Sequence, residues 1–327
     1  MRLVTKTFLF FTLYSSLAFS QSRAGLTGVR DTSYNNAKAL SDTRKSYPHL
    51  NIYEISIKDT DAVKIQKNIS YAQLPERELK LDAFIPTKKT KKLRPAVLII
   101  HGGGWRTGNK AQHHALAQKL ALSGYVCFTP EYRLSTEALY PAAVHDLKAA
   151  LRWLRANART YNIDTNRIAT LGFSAGGQLS ALLGNTGDLP LLEGNVGVAG
   201  HSSKVKAIVD IDGILAFIHP ESGEGDDSKR TSAATYWFGY SKMEKPEIWN
   251  EASVLSYAGK NSPPTLFLNS SVDRMHAGRT EYCQKLAQFG IYTEVHTFDD
   301  SPHSFCLFEP WFDSTVKFIK AFLDKKL

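Results

Sequence analysis

Apolar positions along the chain switch repeatedly between two spacings. From Val63 to Tyr71 and from Leu79 to Ile85 apolar and polar residues alternate at period two, which predicts strands with one covered face. Ala96 to Ile100 is a continuous apolar run, as expected of a strand buried on both sides in a parallel sheet. Residues 110–123 change to helical spacing and stop at Gly124, and a strand from Tyr125 to Thr129 follows. Pro141 opens a helix whose Ala, Leu and Trp153 positions recur at three and four; proline suits a first turn because its missing N–H would have no partner there. Further strands are expected at Arg167–Leu171, Val205–Ile211, Thr265–Asn269 and Ile291–Thr297, with helices at Gly176–Leu183, 275–289 and Trp311–Leu323. Strands alternating with helices in this way predict an α/β fold, with one doubly wound, mostly parallel sheet across residues 61–327. The interval 213–260 fits no sheet element and reads as a lid or cap inserted over the sheet. Residues 21–60 are polar and weakly patterned, and read as a leader wrapping the domain.

The first twenty residues follow a different logic. Arg2 and Lys6 precede an uncharged apolar stretch from Phe8 to Phe19, too short for a bilayer, which needs roughly 20 residues. Ala18-Phe19-Ser20 then offers small residues at the −3 and −1 positions of a cut before Gln21. A basic start, a short apolar core and a small-x-small end predict a secretory signal peptide, and hence a periplasmic or extracellular protein with no stable membrane anchor. Removing Arg2 and Lys6 lowers the formal charge from +9 to +7. The remaining basic residues are spread thinly. Their one dense run, Lys88 to Arg94, lies between two strands as a solvated loop, so no nucleic-acid partner is expected. Three cysteines, Cys127, Cys283 and Cys306, allow at most one disulfide, and no Cys/His spacing suggests a metal.

Candidate chemistry begins at Gly172-Phe173-Ser174-Ala175-Gly176, a G-x-S-x-G directly after a strand and before a helix. The serine must occupy a tight turn, and glycines two residues either side let strand and helix approach without Cβ clashes. His101-Gly102-Gly103-Gly104-Trp105 follows the buried strand, and consecutive glycines allow backbone amides to converge on one point. Gly103, Gly104 and Ala175 are the expected oxyanion donors, with Ser174 as nucleophile and His101 orienting the glycine loop. A serine nucleophile needs a base and an acid that orients it, each on a loop after a later strand. His303, after the last strand, is the expected base; His276 and His296 compete for that role. Asp273, on the loop leaving Thr265–Asn269, is the expected acid, with Asp212 in reserve and Glu281 behind it.

With these motifs the chain from about residue 65 onward resembles the α/β-hydrolase superfamily, in its hormone-sensitive-lipase-like and bacterial feruloyl/acetyl esterase (BD-FAE-like) branch. The resemblance rests on His101–Trp105, Glu131–Leu134, Tyr140–Asp146, Gly172–Gly177, Leu192–Gly197, Ser301–Phe305 and Pro310–Phe312. One departure stands out: the family pattern His-Gly-x-x-Asp before the acid is here Asn269-Ser270-Ser271-Val272-Asp273, with the aspartate in register. The resemblance implies a cofactor-free serine esterase with a Ser-His-Asp triad, exported by a polysaccharide-degrading bacterium to deacylate plant or algal glycans.

The expected partner is therefore an acylated carbohydrate or another small ester. A general short-chain carboxylesterase is the alternative within enzymes, and an inactive carbohydrate-binding module on the same fold is the alternative outside them. Trp105, beside the glycine loop, and Trp237, among the aromatic residues of the insertion, are the expected substrate contacts, since aromatic faces stack on sugar rings. Glu221, Glu224, Asp226 and Asp227 argue that the lid does not itself attract uronates.

Overall fold

The computed structural model describes residues 25–57 and 61–327; the expected signal segment 1–20 lies outside the described residues. The strands are β1 (Val63–Gln73), β2 (Glu78–Pro86), β3 (Arg94–Ile100), β4 (Val126–Pro130), β5 (Ile163–Phe173), β6 (Ala207–Ile211), β7 (Thr265–Asn269) and β8 (Thr293–Thr297). They form one sheet in the order β1-β2-β4-β3-β5-β6-β7-β8. β2 pairs antiparallel with both β1 and β4, and every other pairing is parallel. This is the doubly wound arrangement that the alternating pattern predicts, and it is an α/β-hydrolase fold.

Each buried strand divides its side chains between two cores because successive residues point to opposite faces. On β3, Ala96, Leu98 and Ile100 enter one core while Val97 and Ile99 enter the other; on β7, Phe267 goes one way and Leu266 and Leu268 the other. The helices in chain order are α1 (Asn36–Ser46), α2 (His114–Leu122), α3 (Ala142–Ala156), α4 (Ala158–Tyr161), α5 (Ala175–Asn185), α6 (Pro190–Glu193), α7 (Ala233–Phe238), α8 (Pro246–Glu251), α9 (Arg279–Ala287) and α10 (Phe312–Lys326). α1, α2 and α10 cover one face of the sheet, and α3, α5 and α9 cover the other together with α7 and α8.

Three segments differ from the sequence reading, and in one, the expected helix 110–123, a 3₁₀ turn, Lys110–His113, precedes α2. The leader contains a helix, α1, capped by the Asn35 side chain, and it buries Ala39 and Leu40 in the core shared with α2 and α10. Only three of its positions, Ala37, Ala39 and Leu40, are apolar, too few to raise a helical period above the polar background. The expected helix 275–289 is shorter: a 3₁₀ turn, Asp273–His276, precedes α9. All three cysteines are free thiols, with Cys127 and Cys306 buried. Among the described residues, no helix is long and apolar enough to cross a membrane.

A charged clamp ties the sheet to the element that follows the glycine loop. Asp82 on β2, fully covered, accepts from Lys110 Nζ at 2.8 Å, Asn68 N–H at 2.7 Å and His114 Nε2 at 2.9 Å. Burial pushes its carboxyl up, but the bonds from His114, Lys110 and Asn68 outweigh burial and hold it at about 2, below the ordinary 3.8. A lowered folded-state value stabilises the fold fully above the ordinary value, and that contribution disappears as pH falls toward the lowered one. Asp82 is therefore expected to contribute about 2 kcal/mol above about pH 4, lost between there and about pH 2. Denaturant midpoints across that interval should converge for wild type and Asp82→Asn; a constant gap would remove Asp82 from the acid limb.

Candidate active site

Ser174 stands between β5 and α5 with φ 57 and ψ −122, a conformation that non-glycine residues rarely adopt. The flanking glycines explain how the chain holds it there. A Cβ on Gly172 would lie 2.0 Å from the Gly176 carbonyl oxygen, and one on Gly176 would lie 2.2 Å from that of Ile100. Both positions are closed to any side chain, so the turn can form only with glycine at each. The Ser174 amide is anchored by donating to Ile211 O at 2.8 Å.

His303 reaches this turn from the far side of two strands. The loop after β8 folds back over the end of β7, where Phe298 N–H donates to Asn269 O. Ser271 Oγ bonds Ser301 at both its carbonyl and its amide. The result places His303 Nε2 2.9 Å from Ser174 Oγ and its Nδ1 2.9 Å from Asp212 Oδ2. A carboxylate only accepts, so Nδ1 carries the ring proton and Nε2 is free to accept from the serine hydroxyl. His276 donates to or accepts nothing from Ser174; its Nε2 lies 3.0 Å from Ser270 O. His296, in β8, stacks on Phe318 of α10, and its Nε2 lies 2.7 Å from Glu294 Oε1.

The aspartate against His303 is thus Asp212 and not Asp273, which corrects the expectation from chain order. Asp212 directly follows β6, the strand beside β5, so its carboxylate needs to cross only one strand spacing, about 4.8 Å. Asp273 begins an exposed 3₁₀ turn four residues beyond the end of β7 and makes no hydrogen bond with His303 among the described residues. The loop of β7 serves Asp212 instead. Ser270 N–H donates to Asp212 Oδ1 at 2.8 Å, Asn269 Nδ2 donates to the same oxygen at 3.3 Å, and Ser270 Oγ donates to Oδ2. The departure Asn269-Ser270 from the family pattern therefore supplies donors to a buried carboxylate on the neighbouring strand.

Asp210, two residues earlier, is buried with one oxygen accepting from Gly213 N–H at 2.7 Å and the other without a partner. Burial pushes its carboxyl well above the ordinary range against that hydrogen bond, and the charge of Asp212 adds to the push. A neutral acid here keeps the β6 turn in place without a second buried charge beside Asp212.

The glycine loop is held from behind. His101 is buried and stacked on Tyr132, and its Nδ1 donates to Gly102 O at 2.8 Å. Burial, with the nearby charge of Arg30, holds this imidazole at about 3, so it is neutral and orients the loop, as its position after β3 suggested. Gly102 N–H is taken by Gln112 Oε1 at 2.7 Å. Gly103, at φ 123, has its carbonyl closed into a turn by Arg106 N–H and Thr107 N–H.

Gly104, Ser174, Ala175 and His303 line one cavity of about 700 Å³, roofed by residues 223–236 of the insertion. Gly103 does not line it. The two expected aromatic contacts also part company. Trp105 borders the cavity, but its indole Nε1–H is bound to Gln178 Oε1 and little of the ring is open. Trp237 is fully buried, stacked on Trp105 at 4.9 Å, and packs the insertion onto the sheet rather than meeting a ligand. Tyr236, its sequence neighbour, points the other way into the cavity. On a short helix adjacent residues face different directions, and that alone decides which ring is core and which is wall. Gln178, which ties Trp105 to Ala252 O of the insertion, was not anticipated. Its signal was a lone amide in the apolar run of α5.

The chain is similar to proteins named as esterases. The profile of the BD-FAE family matches residues 81–281, more than half of the chain. The chain is 30% identical over 197 residues to esterase LipC of Mycobacterium tuberculosis (strain ATCC 25618 / H37Rv), an alignment covering 58% of this chain. It spans about half of that protein's own length, 46%. It is 26% identical over 250 residues to the versiconal hemiacetal acetate esterase of Dothistroma septosporum, covering 71% of each. Among solved structures, a truncated carbohydrate esterase from gut microbiota superposes with a TM-score of 0.70 at 23% identity, over 82% of this chain and all of that one. By the extent of the profile match, the chain belongs to the BD-FAE family.

Proposed function

We propose that the protein is a serine esterase that hydrolyses carboxylic esters carried on carbohydrate, with Ser174 as nucleophile, His303 as base and Asp212 as the orienting acid. The observation that carries this reading is the unbroken hydrogen-bonded line from Asp212 through His303 to Ser174, opening on a cavity bordered by Gly104 and Ala175. Ser174 Oγ bonds to the ester carbonyl carbon as its proton passes to His303 Nε2. The carbonyl oxygen takes the negative charge, which the backbone N–H groups of Gly104 and Ala175 stabilise, Gly103 shaping the turn that presents the first of them. The carbon–oxygen bond to the alcohol then breaks, and the alcohol leaves with the proton held by His303. Water, deprotonated by the same imidazole, releases the acid and restores the serine. Asp212 holds the imidazole in the required tautomer and stabilises its cation.

Relatives named as esterases support the reaction class, and the gut carbohydrate esterase supports sugar-borne esters as the substrate. A cavity of about 700 Å³ whose walls set Glu224, Arg230 and Arg274 beside Trp105, Ile214 and Tyr236 offers a sugar both polar partners and ring faces, whereas a long acyl chain would need an apolar tunnel. Export before Gln21 is part of the same proposal, supported by the basic start, apolar core and small-x-small end of residues 1–20.

The wild-type protein is expected to release one equivalent of p-nitrophenol from p-nitrophenyl acetate in a rapid burst, as an accumulating acyl-enzyme does. A fluorophosphonate probe should label Ser174 covalently, read by mass spectrometry of the peptide. Neither burst nor label in the intact protein would dispose of the esterase reading.

A further inference from the structure

The cavity walls carry an excess of cationic side chains that the proposed ester hydrolysis does not use. Arg106 comes from the glycine loop, Arg230 from the insertion and Arg274 from the turn after β7; all three line the same cavity as Ser174 and His303. Arg106 is already engaged, stacking on Tyr236 at 4.3 Å and donating to Gly25 O at 3.1 Å. Arg230 and Arg274 form neither an ion pair nor a hydrogen bond with any other described residue, and both are exposed to solvent at the rim.

The insertion's carboxylates do not pair with these guanidinium groups. Glu224 accepts from Ala234 N–H at 2.9 Å. Asp227 accepts from Ser232 N–H and Thr235 Oγ1, closing the first turn of α7. Asp226 is held below the ordinary carboxylate range by hydrogen bonds from Ser228 and by the charges of Lys242 and Lys229. Of the four acids that argued against an anionic substrate, Glu224, Asp226 and Asp227 are therefore engaged within the insertion, and Glu221 lies outside the cavity lining. Glu224 and Asp226 do border the cavity, and against three arginines they leave it one charge positive.

We infer that Arg230 and Arg274 select esters borne on an anionic molecule, binding a carboxylate or sulfate that lies beside the scissile group; this rests on the esterase reading of the same site. Guanidinium groups without a protein partner are the natural recognition element for such planar or tetrahedral anions, because they offer paired donors in a fixed fork. A uronic-acid ring would present its carboxylate in this way, as would a sulfated sugar, while a neutral acetylated xylan would leave both arginines in water. The chain's overall excess of positive charge would favour encounter with either polyanion.

Acetate release from three acetylated oligosaccharides tests the inference: an oligogalacturonide carrying carboxylates, a sulfated galactan fragment and a neutral xylo-oligosaccharide. The wild-type ratio of kcat/KM for an anionic over the neutral substrate is expected to exceed about tenfold at low salt, mostly through KM, and to shrink as salt is raised. Arg274→Gln with Arg230→Gln should collapse that ratio toward one, and whichever of the two anions shows the preference identifies the group recognised. A ratio near one in the wild type, or one that the double substitution does not move, overturns the inference while leaving the esterase reading intact. Absence of acetate from all three, together with no p-nitrophenol burst, instead removes the reading on which it rests.

Discussion

Asp212→Asn is expected to lower kcat by about 10⁴-fold with little change in KM, the scale known for removing the orienting charge from such a histidine. The surroundings of Asp212 dictate how the loss arises. Its Oδ1 receives two donors, Ser270 N–H and Asn269 Nδ2. An amide introduced at this position would turn its oxygen toward those donors and present its NH₂ to His303. The imidazole would then have to accept at Nδ1 and carry its proton on Nε2, where it can no longer take one from Ser174. Asp273→Asn, on an exposed turn away from His303, should leave kcat close to wild type. The pair of variants, compared on p-nitrophenyl acetate, discriminates the two aspartates directly. A large loss in Asp273→Asn with none in Asp212→Asn would reverse the assignment.

Ser174→Ala should have the largest effect on turnover, a drop of about 10⁶-fold toward the residual rate that the oxyanion donors and binding alone sustain. The same residue carries a cost in stability. With φ 57 and ψ −122 it occupies a backbone region that strains every residue except glycine, at roughly 1–3 kcal/mol. Ser174→Gly should therefore be as inactive as Ser174→Ala yet unfold at a higher temperature, and calorimetry of the two variants isolates the strain because both lack the hydroxyl. Equal melting temperatures would mean that the turn is not strained by its side chain. Near-wild-type turnover in Ser174→Ala would remove Ser174 as nucleophile.

The parts of this site that could be read from the chain are those whose chemistry is local. G-x-S-x-G is legible because the glycines answer to contacts within the turn and with the adjacent strand: Gly172 against Gly176, and Gly176 against Ile100. The buried strands are legible because a parallel strand covered on both faces must be apolar throughout, as Ala96 to Ile100 is. His303 could be found because one histidine lay on the loop between the last strand and the last helix. The glycine loop after β3 also shows in the chain, although Gly103 proves to shape the turn more than to border the cavity.

What the chain could not decide is which groups meet once loops from different strands fold over one another. Asp212 and Asp273 each follow a strand end, and periodicity weighs them equally. The order β5-β6-β7-β8 put Asp212 one strand from Ser174, and the Ser271–Ser301 pairing drew His303 onto it. Trp237 and Tyr236 are both aromatic and adjacent, and only the rotation of α7 over the sheet sent one into the core and the other into the cavity. The acids of the insertion read as a surface charge until their partners on α7 were in place. The sequence by itself determined the sheet, the Ser174 turn and the place of His303, because each depends on contacts between near neighbours or on burial alone. The tertiary structure decided which aspartate meets His303, the cavity's walls and their charge, because those depend on distances between residues tens of positions apart, which no local pattern encodes.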